Sequence, residues 1–224
     1  MSILTETIPK DVITTIAARV GSSSLPDLLN LKQSCKTFYE LGGDNFVFQN
    51  VSMEKLPAIP WILSQDASYF LRRCQETENP EALYRLGMVE YFSNTRLELG
   101  QAFLARAAYL GHIEASYILG IILICTDSQS RIQGIEHLNN VEIHRTNSQD
   151  PGFSERRQKS LTLLRNMWLN HFILLEQPIC TNPNCKKIEQ RHGWEEYWEF
   201  SCEACKYEHE VNAFCRMLRS GQGI

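Results

Sequence analysis

Four cysteines near the end of the chain are spaced for metal chemistry: Cys180-x4-Cys185, then sixteen intervening residues, then Cys202-Glu203-Ala204-Cys205. Two close pairs separated by a short loop suit a tetrahedral four-thiolate zinc site, because each pair forms a knuckle and the loop brings the knuckles together. A structural Zn2+ held this way has no open position for water, which argues against catalysis at the metal. His209 and Cys215 follow closely, and either could replace one of the four. Cys74 and Cys125 stand alone and read as small buried hydrophobes. Eight cysteines in a chain whose first ten residues lack a long apolar run point to metal and buried thiols in a reducing compartment.

Between the two pairs lies Trp194-Glu195-Glu196-Tyr197-Trp198-Glu199-Phe200. The alternation of Trp198, Phe200 and Cys202 predicts a strand with one buried face, as in a zinc ribbon, its aromatic rings covering the metal or forming a docking surface. Basic residues in this segment (Lys186, Lys187, Arg191, Lys206, Arg216, Arg219) are outnumbered by Glu189, Glu195, Glu196, Glu199, Glu203, Glu208 and Glu210. A zinc tetrathiolate adds further negative charge, and the whole chain carries a net charge of -4, so nucleic acid is not an expected partner. Phosphate loop, dinucleotide fingerprint, metalloprotease helix and nucleophile elbow are all absent from the sequence, so no enzymatic activity is expected.

The elements that must carry this cluster come from a unit written twice. Asn79-Pro80-Glu81-Ala82-Leu83-Tyr84-Arg85-Leu86-Gly87 is answered 33 residues later by His112-Ile113-Glu114-Ala115-Ser116-Tyr117-Ile118-Leu119-Gly120. Leu99 to Leu104 is answered by Gln133 to Leu138 at an offset of 34, one residue having entered the loop. A fixed period of that length is the signature of a helix-hairpin solenoid. Asn79 can cap a helix that starts at Pro80, and Gly87 admits a close neighbour. A second helix over Leu99 to Leu110 should stop at Gly111 in a left-handed C-cap. Ala82 to Gly87, Ala102 to His112 and Ala115 to Gly120 resemble the Sel-like branch of the tetratricopeptide-type repeats, which implies a protein-binding scaffold with no chemistry of its own.

Upstream, Ile8-Pro9-Lys10-Asp11-Val12-Ile13 leads to Ile16 and Val20 on a short helix expected to end at Gly21. A second stripe holds Leu25, Leu28, Leu29, Leu31, Cys35 and Phe38. These helices must dock on the repeats or await a partner. Ile8, Pro9, Asp11, Ile16, Arg19, Val20, Asp27, Leu28, Leu31, Cys35, Lys36 and Phe38 follow the F-box pattern, and residues 8 to 48 resemble that family. The resemblance implies that Ile8, Pro9, Leu28, Leu31, Cys35, Lys36 and Phe38 meet a Skp-type adaptor and, through it, a cullin. On that reading Ile8, Pro9, Leu28, Leu31 and Phe38 stand partly exposed in the isolated chain.

A helix from Pro60, with Trp61, Ile62, Leu63, Ala67, Phe70, Leu71 and Cys74 on its apolar face, should cap the repeats. Polar residues from Thr146 to Gly152 read as an exposed loop, and a last helix is expected from Ser154 to Glu176 with Leu161, Leu164, Trp168, Leu169, Phe172 and Leu175 inward. The chain is therefore expected to be mainly α, in three parts: F-box-like helices over residues 1–52, helix-hairpin repeats with capping helices over 53–177, and a small zinc-ribbon-like unit over 178–224. Its 43% apolar and 21% charged residues are those of a soluble protein. The longest apolar run, Tyr117 to Cys125, is too short to span a bilayer, so the expected place is cytoplasm or nucleus, away from membrane. The order of F-box, Sel-like hairpin and cysteine pairs resembles a group of plant F-box proteins, which implies a ubiquitin-ligase substrate receptor with an unknown target protein. The alternative is a zinc-binding scaffold or nucleic-acid-binding ribbon without a ligase link, in which the N-terminal helices only cap the repeats.

Overall fold

In the computed structural model the described residues, 8–56, 64–143, 153–182, 185, 188–192, 195–199 and 202–220, form eleven α-helices, one π-helical turn and one two-stranded sheet. The chain divides into two units, Met1–Val89 with Glu98–His112, and Glu90–Leu97 with Ile113–Ile224.

The first unit opens with α1 (Lys10–Ser23), α2 (Leu25–Ser34), α3 (Lys36–Leu41) and α4 (Asn45–Asn50). Short polar side chains set the helix starts: Ser24 Oγ accepts from Asp27 N, and Asp44 Oδ1 accepts from Phe46 N at 2.8 Å. Helix α1 does not stop at Gly21, as expected, but runs on to Ser23. Gly21 is needed for contact instead, since a Cβ there would lie 3.0 Å from Leu28 Cδ2. That contact also corrects the expectation for Leu28, which is only 3% exposed and shares a core with Ala17, Val47, Phe48, Cys74 and Ala82. The buried face of α1 is Ile13, Ala17, Ala18 and Gly21, which leaves Val12 at 44% and Ile16 at 42% exposure.

Helix α5 (Gln65–Glu76) begins after Ser64, whose extended backbone (ψ 159°) and Oγ bond from Ala67 N cap it. Pro60, Trp61, Ile62 and Leu63 lie outside the described residues. Cys74 is fully buried, and burial pushes its thiol up to about 12.

Helix α6 (Pro80–Met88) starts where expected. Asn79 Oδ1 accepts from the N–H groups of Glu81 and Ala82, while its Nδ2 donates to the carbonyls of Phe48 and Val51, both at 3.0 Å. One buried side chain thus starts the first repeat and ties it to the end of α4. A π-helical turn, Val89–Ser93, follows, and then α7 (Leu97–Tyr109), beginning two residues before the expected Leu99. Gly111, at φ +88°, ends the hairpin in the left-handed conformation that the sequence called for. Helix α7 packs closely on α6, since a Cβ on Gly87 would meet Leu104 Cγ at 2.8 Å and the Gly100 carbonyl oxygen at 3.0 Å.

In the second unit α8 (Ile113–Thr126) and α9 (Arg131–Ile143) form the second hairpin. Helix α8 is apolar all round and buries nine of its residues, as such a helix must. Helix α10 (Ser154–Arg165) buries Leu161 and Leu164 but ends at Arg165, well short of Glu176. Beyond it the backbone turns to other partners: the N–H groups of Asn170 and His171 both reach the Phe92 carbonyl, and Asn170 Nδ2 reaches that of Ser93. Those bonds replace an intrahelical ladder, so Trp168, expected inward, is 72% exposed and Leu169, Phe172 and Leu175 are half-buried. The loop expected from Thr146 to Gly152 lies outside the described residues. Strands β1 (Ile188–His192) and β2 (Glu195–Glu199) pair antiparallel, and α11 (Glu203–Ser220) closes the chain. Helix α11 is anchored in the unit by Phe214 against Tyr117 (ring centroids 5.9 Å apart) and by Glu210, which accepts from Tyr117 Oη and Arg157 Nη1.

Candidate functional site

The four predicted cysteines come together. Their Sγ atoms all lie within 4.8 Å of one another, with 3.8 Å between Cys180 and Cys202, 3.4 Å between Cys185 and Cys202, and 3.3 Å between Cys185 and Cys205. Four thiolates around an ion at a bond length of about 2.3 Å sit about 3.8 Å apart, so this cluster is of the size to hold a metal ion. Thiolates are soft ligands, suited to Zn2+, Cu+ or iron, and four of them complete a tetrahedron with no position left for water.

Each knuckle has a local cause. Cys185 N donates to the Asn182 carbonyl at 3.1 Å, turning the chain between the first pair. At the second pair Cys205 N donates to Cys202 Sγ at 3.4 Å across the first turn of α11. That bond is the foremost cause that draws the Cys202 thiol down to about 7, while burial pushes the Cys205 thiol up. The β1–β2 hairpin, in the register Ile188 to Glu199 and His192 to Glu195, folds back the segment between the pairs and returns the chain to the first knuckle. The expected strand is thus present as Glu195–Glu199, but Cys202 lies beyond it, before the helix. Trp194 and Phe200 lie outside the described residues.

Among the described residues the cluster consists of these four cysteines, without His209 or Cys215. Cys215 lies instead with Cys125, whose hydrogen bond draws Cys215 down and pushes Cys125 up. Sequence reading missed Glu208, which is 7% exposed and accepts at Oε2 from Ile179 N (3.0 Å) and Cys180 N (3.1 Å). The available signal was a charged residue beside the apolar stripe of Tyr207, Val211, Phe214 and Leu218.

The residues expected to meet an adaptor separate by burial. Pro9 and Lys36 are exposed, Ile8, Leu31, Cys35 and Phe38 are half-buried, and Leu28 is core. Val12, Ile16 and Leu29 supply the large exposed apolar side chains of α1 and α2.

The paired glycine contacts, one within each hairpin, repeat the same helix approach at the offset seen in the sequence. Residues 53–165 match the family of plant tetratricopeptide repeats, half of the chain. The chain belongs to that family. As a plant tetratricopeptide-repeat protein it is also similar to three proteins of Arabidopsis thaliana. It is 30% identical over 176 residues to "Putative F-box protein At1g67623", covering 79% of this chain and 59% of the relative. It is 29% identical over 121 residues to "F-box protein At1g67340" (53% of this chain, 32% of the relative) and 27% over 120 residues to "F-box protein At2g35280" (54% and 73%). The plant tetratricopeptide-repeat chain thus spans 59% and 32% of the first two relatives' lengths. No solved structure matches it. Among the described residues no helix is long and apolar enough to cross a membrane.

Proposed function

We propose that the chain is the substrate-receptor subunit of an SCF-type cullin-RING ubiquitin ligase. Its N-terminal helices dock on a Skp-type adaptor and through it on a cullin, while the repeats and the cysteine unit present a surface to a target protein. The chain itself carries no reaction; it brings the target to the ligase. The cysteine cluster holds a structural Zn2+, with Cys180, Cys185, Cys202 and Cys205 as thiolate ligands.

The observation that carries this reading is the apolar surface of α1 and α2. Val12, Ile16 and Leu29 are 44%, 42% and 48% exposed on helices whose other faces are core, within a stretch that follows the F-box pattern. Apolar surface left exposed on the F-box-like helices is what a docking partner would cover, which supports this reading. The names of the relatives support the same reading. Pro9, Leu31, Cys35, Lys36, Phe38 and Ile8 complete the proposed docking set, and Leu28 leaves it for the core.

A second reading, a scaffold without a ligase link, is favoured by one observation: Leu28, Val47 and Phe48 share a core with Cys74 and Ala82, so the N-terminal helices also cap the first repeat. Co-purification of the full chain with a Skp-type adaptor separates the two. Retention of the adaptor by the wild type and its loss from Val12→Asp/Ile16→Asp supports the receptor, and absence of any wild-type binding leaves the scaffold.

A further inference from the structure

Residues 166–182 form neither helix nor strand, so no ladder of local hydrogen bonds sets where the Cys180 backbone lies. Helix α11 supplies what the segment lacks. Glu208 Oε2 takes two consecutive N–H groups, those of Ile179 and Cys180, at 3.0 and 3.1 Å. Glu208 follows Cys205 by three residues on α11, a spacing that puts the two side chains on one helix face. Both are buried, Cys205 at 2% and Glu208 at 7% exposure. The same helix face therefore carries one cysteine of the second pair and the clamp on the first cysteine of the other.

We infer that Glu208 is the positioning residue of the metal centre, holding Cys180 in reach of Cys185, Cys202 and Cys205 through the Ile179 and Cys180 backbone amides. This rests on the zinc reading above. A carboxylate buried beside four thiolates is electrostatically unfavourable, and its retention is explained by charge-assisted bonds to the backbone that a neutral side chain makes less strongly. The two roles are separated by which substitution preserves binding. If Glu208 acted on the metal by its charge, aspartate, which keeps the charge, would preserve affinity better than glutamine. If it positions Cys180, losing its reach loosens the metal. Groups that orient metal ligands typically contribute about 10- to 100-fold in affinity.

The test uses the full chain, stripped of metal under reducing conditions and titrated with Co2+, then with Zn2+ in competition with a chromophoric chelator. Wild type, Glu208→Ala, Glu208→Gln and Glu208→Asp are compared, with helical circular dichroism as the check on folding. Tetrahedral thiolate–Co2+ bands in the wild type, with Zn2+ affinity lowered about 10- to 100-fold in Glu208→Ala, are expected. Glutamine keeps the reach and an acceptor oxygen, so it should bind metal more tightly than aspartate, which keeps the charge and loses the reach. Should Glu208→Ala fail to fold, that order decides: aspartate equal to or better than glutamine overturns the positioning role. Unchanged affinity in a folded Glu208→Ala overturns it as well. A wild type that binds neither ion overturns the zinc reading itself, and with it this inference.

Discussion

Gly120 and Gly134 hold α8 and α9 at backbone contact: a Cβ on Gly120 would lie 2.9 Å from the Gly134 carbonyl oxygen, and one on Gly134 would lie 2.7 Å from that of Gly120. Because the obstacle is backbone, the helices themselves must part to admit a methyl. Overpacking of this kind costs about 1–3 kcal/mol, against a gain of about 1 kcal/mol in helix propensity. Gly134→Ala should therefore lower the melting temperature. Gly111→Ala should also destabilise, by about 1–2 kcal/mol, for a different reason: nothing lies within 4 Å of its missing Cβ, but φ is +88°. A Gly134→Ala melt at or above the wild type would contradict the close approach.

Asn79 is a buried polar side chain bonded to two N–H groups and two carbonyls. Asn79→Ala removes a helix cap, at about 0.5–2 kcal/mol, and leaves buried carbonyls unpaired, at about 1–3 kcal/mol. A loss of about 2–4 kcal/mol in denaturant unfolding is expected. Asn79→Asp keeps the cap but turns two donors into repulsion with the Phe48 and Val51 carbonyls, so it should rescue little.

Glu81 gives the first unit a defined acid sensitivity. Burial alone would push its carboxyl up, but the His112 hydrogen bond and the neighbouring Arg85 charge outweigh it and hold the carboxyl below the usual range. A depressed folded value means that the unfolded chain binds the proton first, so the contribution is fully present above about pH 4.3 and fades as pH falls through the folded value. The stability difference between wild type and Glu81→Gln should shrink below about pH 4. A difference that grows on acidification would reverse the sign assigned to this group.

Leu28 and Ile16 should separate folding from adaptor binding. Leu28→Ala empties a core site that is 3% exposed and should cost about 2–5 kcal/mol of stability. Ile16→Ala, at a side chain 42% exposed, should change stability by about 0.5 kcal/mol or less. If Ile16 is a binding anchor, its truncation should weaken the adaptor complex by about 1–3 kcal/mol, read by calorimetry or surface binding. Equal adaptor affinity for Ile16→Ala and wild type would remove α1 from the interface.

Metal analysis of protein purified without chelator should find about one zinc per chain, as a closed four-thiolate site requires. Cys202→Ser should abolish that content and open the stretch from Ile179 to Glu199 to protease. Helix α11 should persist, because Phe214, Val211 and Leu218 are buried away from the cluster in the core of the second unit. Loss of most helical signal on metal removal would mean that the metal organises far more than the knuckles.

Local rules made much of this protein legible in the sequence. Asn79 before Pro80 starts a helix because an amide side chain caps free N–H groups and proline needs none, and Gly111 ends a hairpin because its backbone is left-handed. The repeat offset carried the glycine contacts with it, and paired thiol spacing announced the four-cysteine cluster, since both depend on distances along the chain. Tertiary structure alone decided which side of each stripe is core. Val12, Ile13 and Ile16 are all apolar, yet only Ile13 is buried, because it shares the face of α1 that carries Ala17 and Ala18, residues that join Leu28 and Val47 from elsewhere in the chain in one core. The same cause ended α10 at Arg165, where the Phe92 carbonyl offers bonds to Asn170 and His171 that helix periodicity cannot reveal. It also separated Cys215 from the four-cysteine cluster and brought Glu208 to the Cys180 backbone, 28 residues away in sequence. A single side chain reads its near neighbours by spacing, but burial and charge are settled by whatever the rest of the chain packs against it.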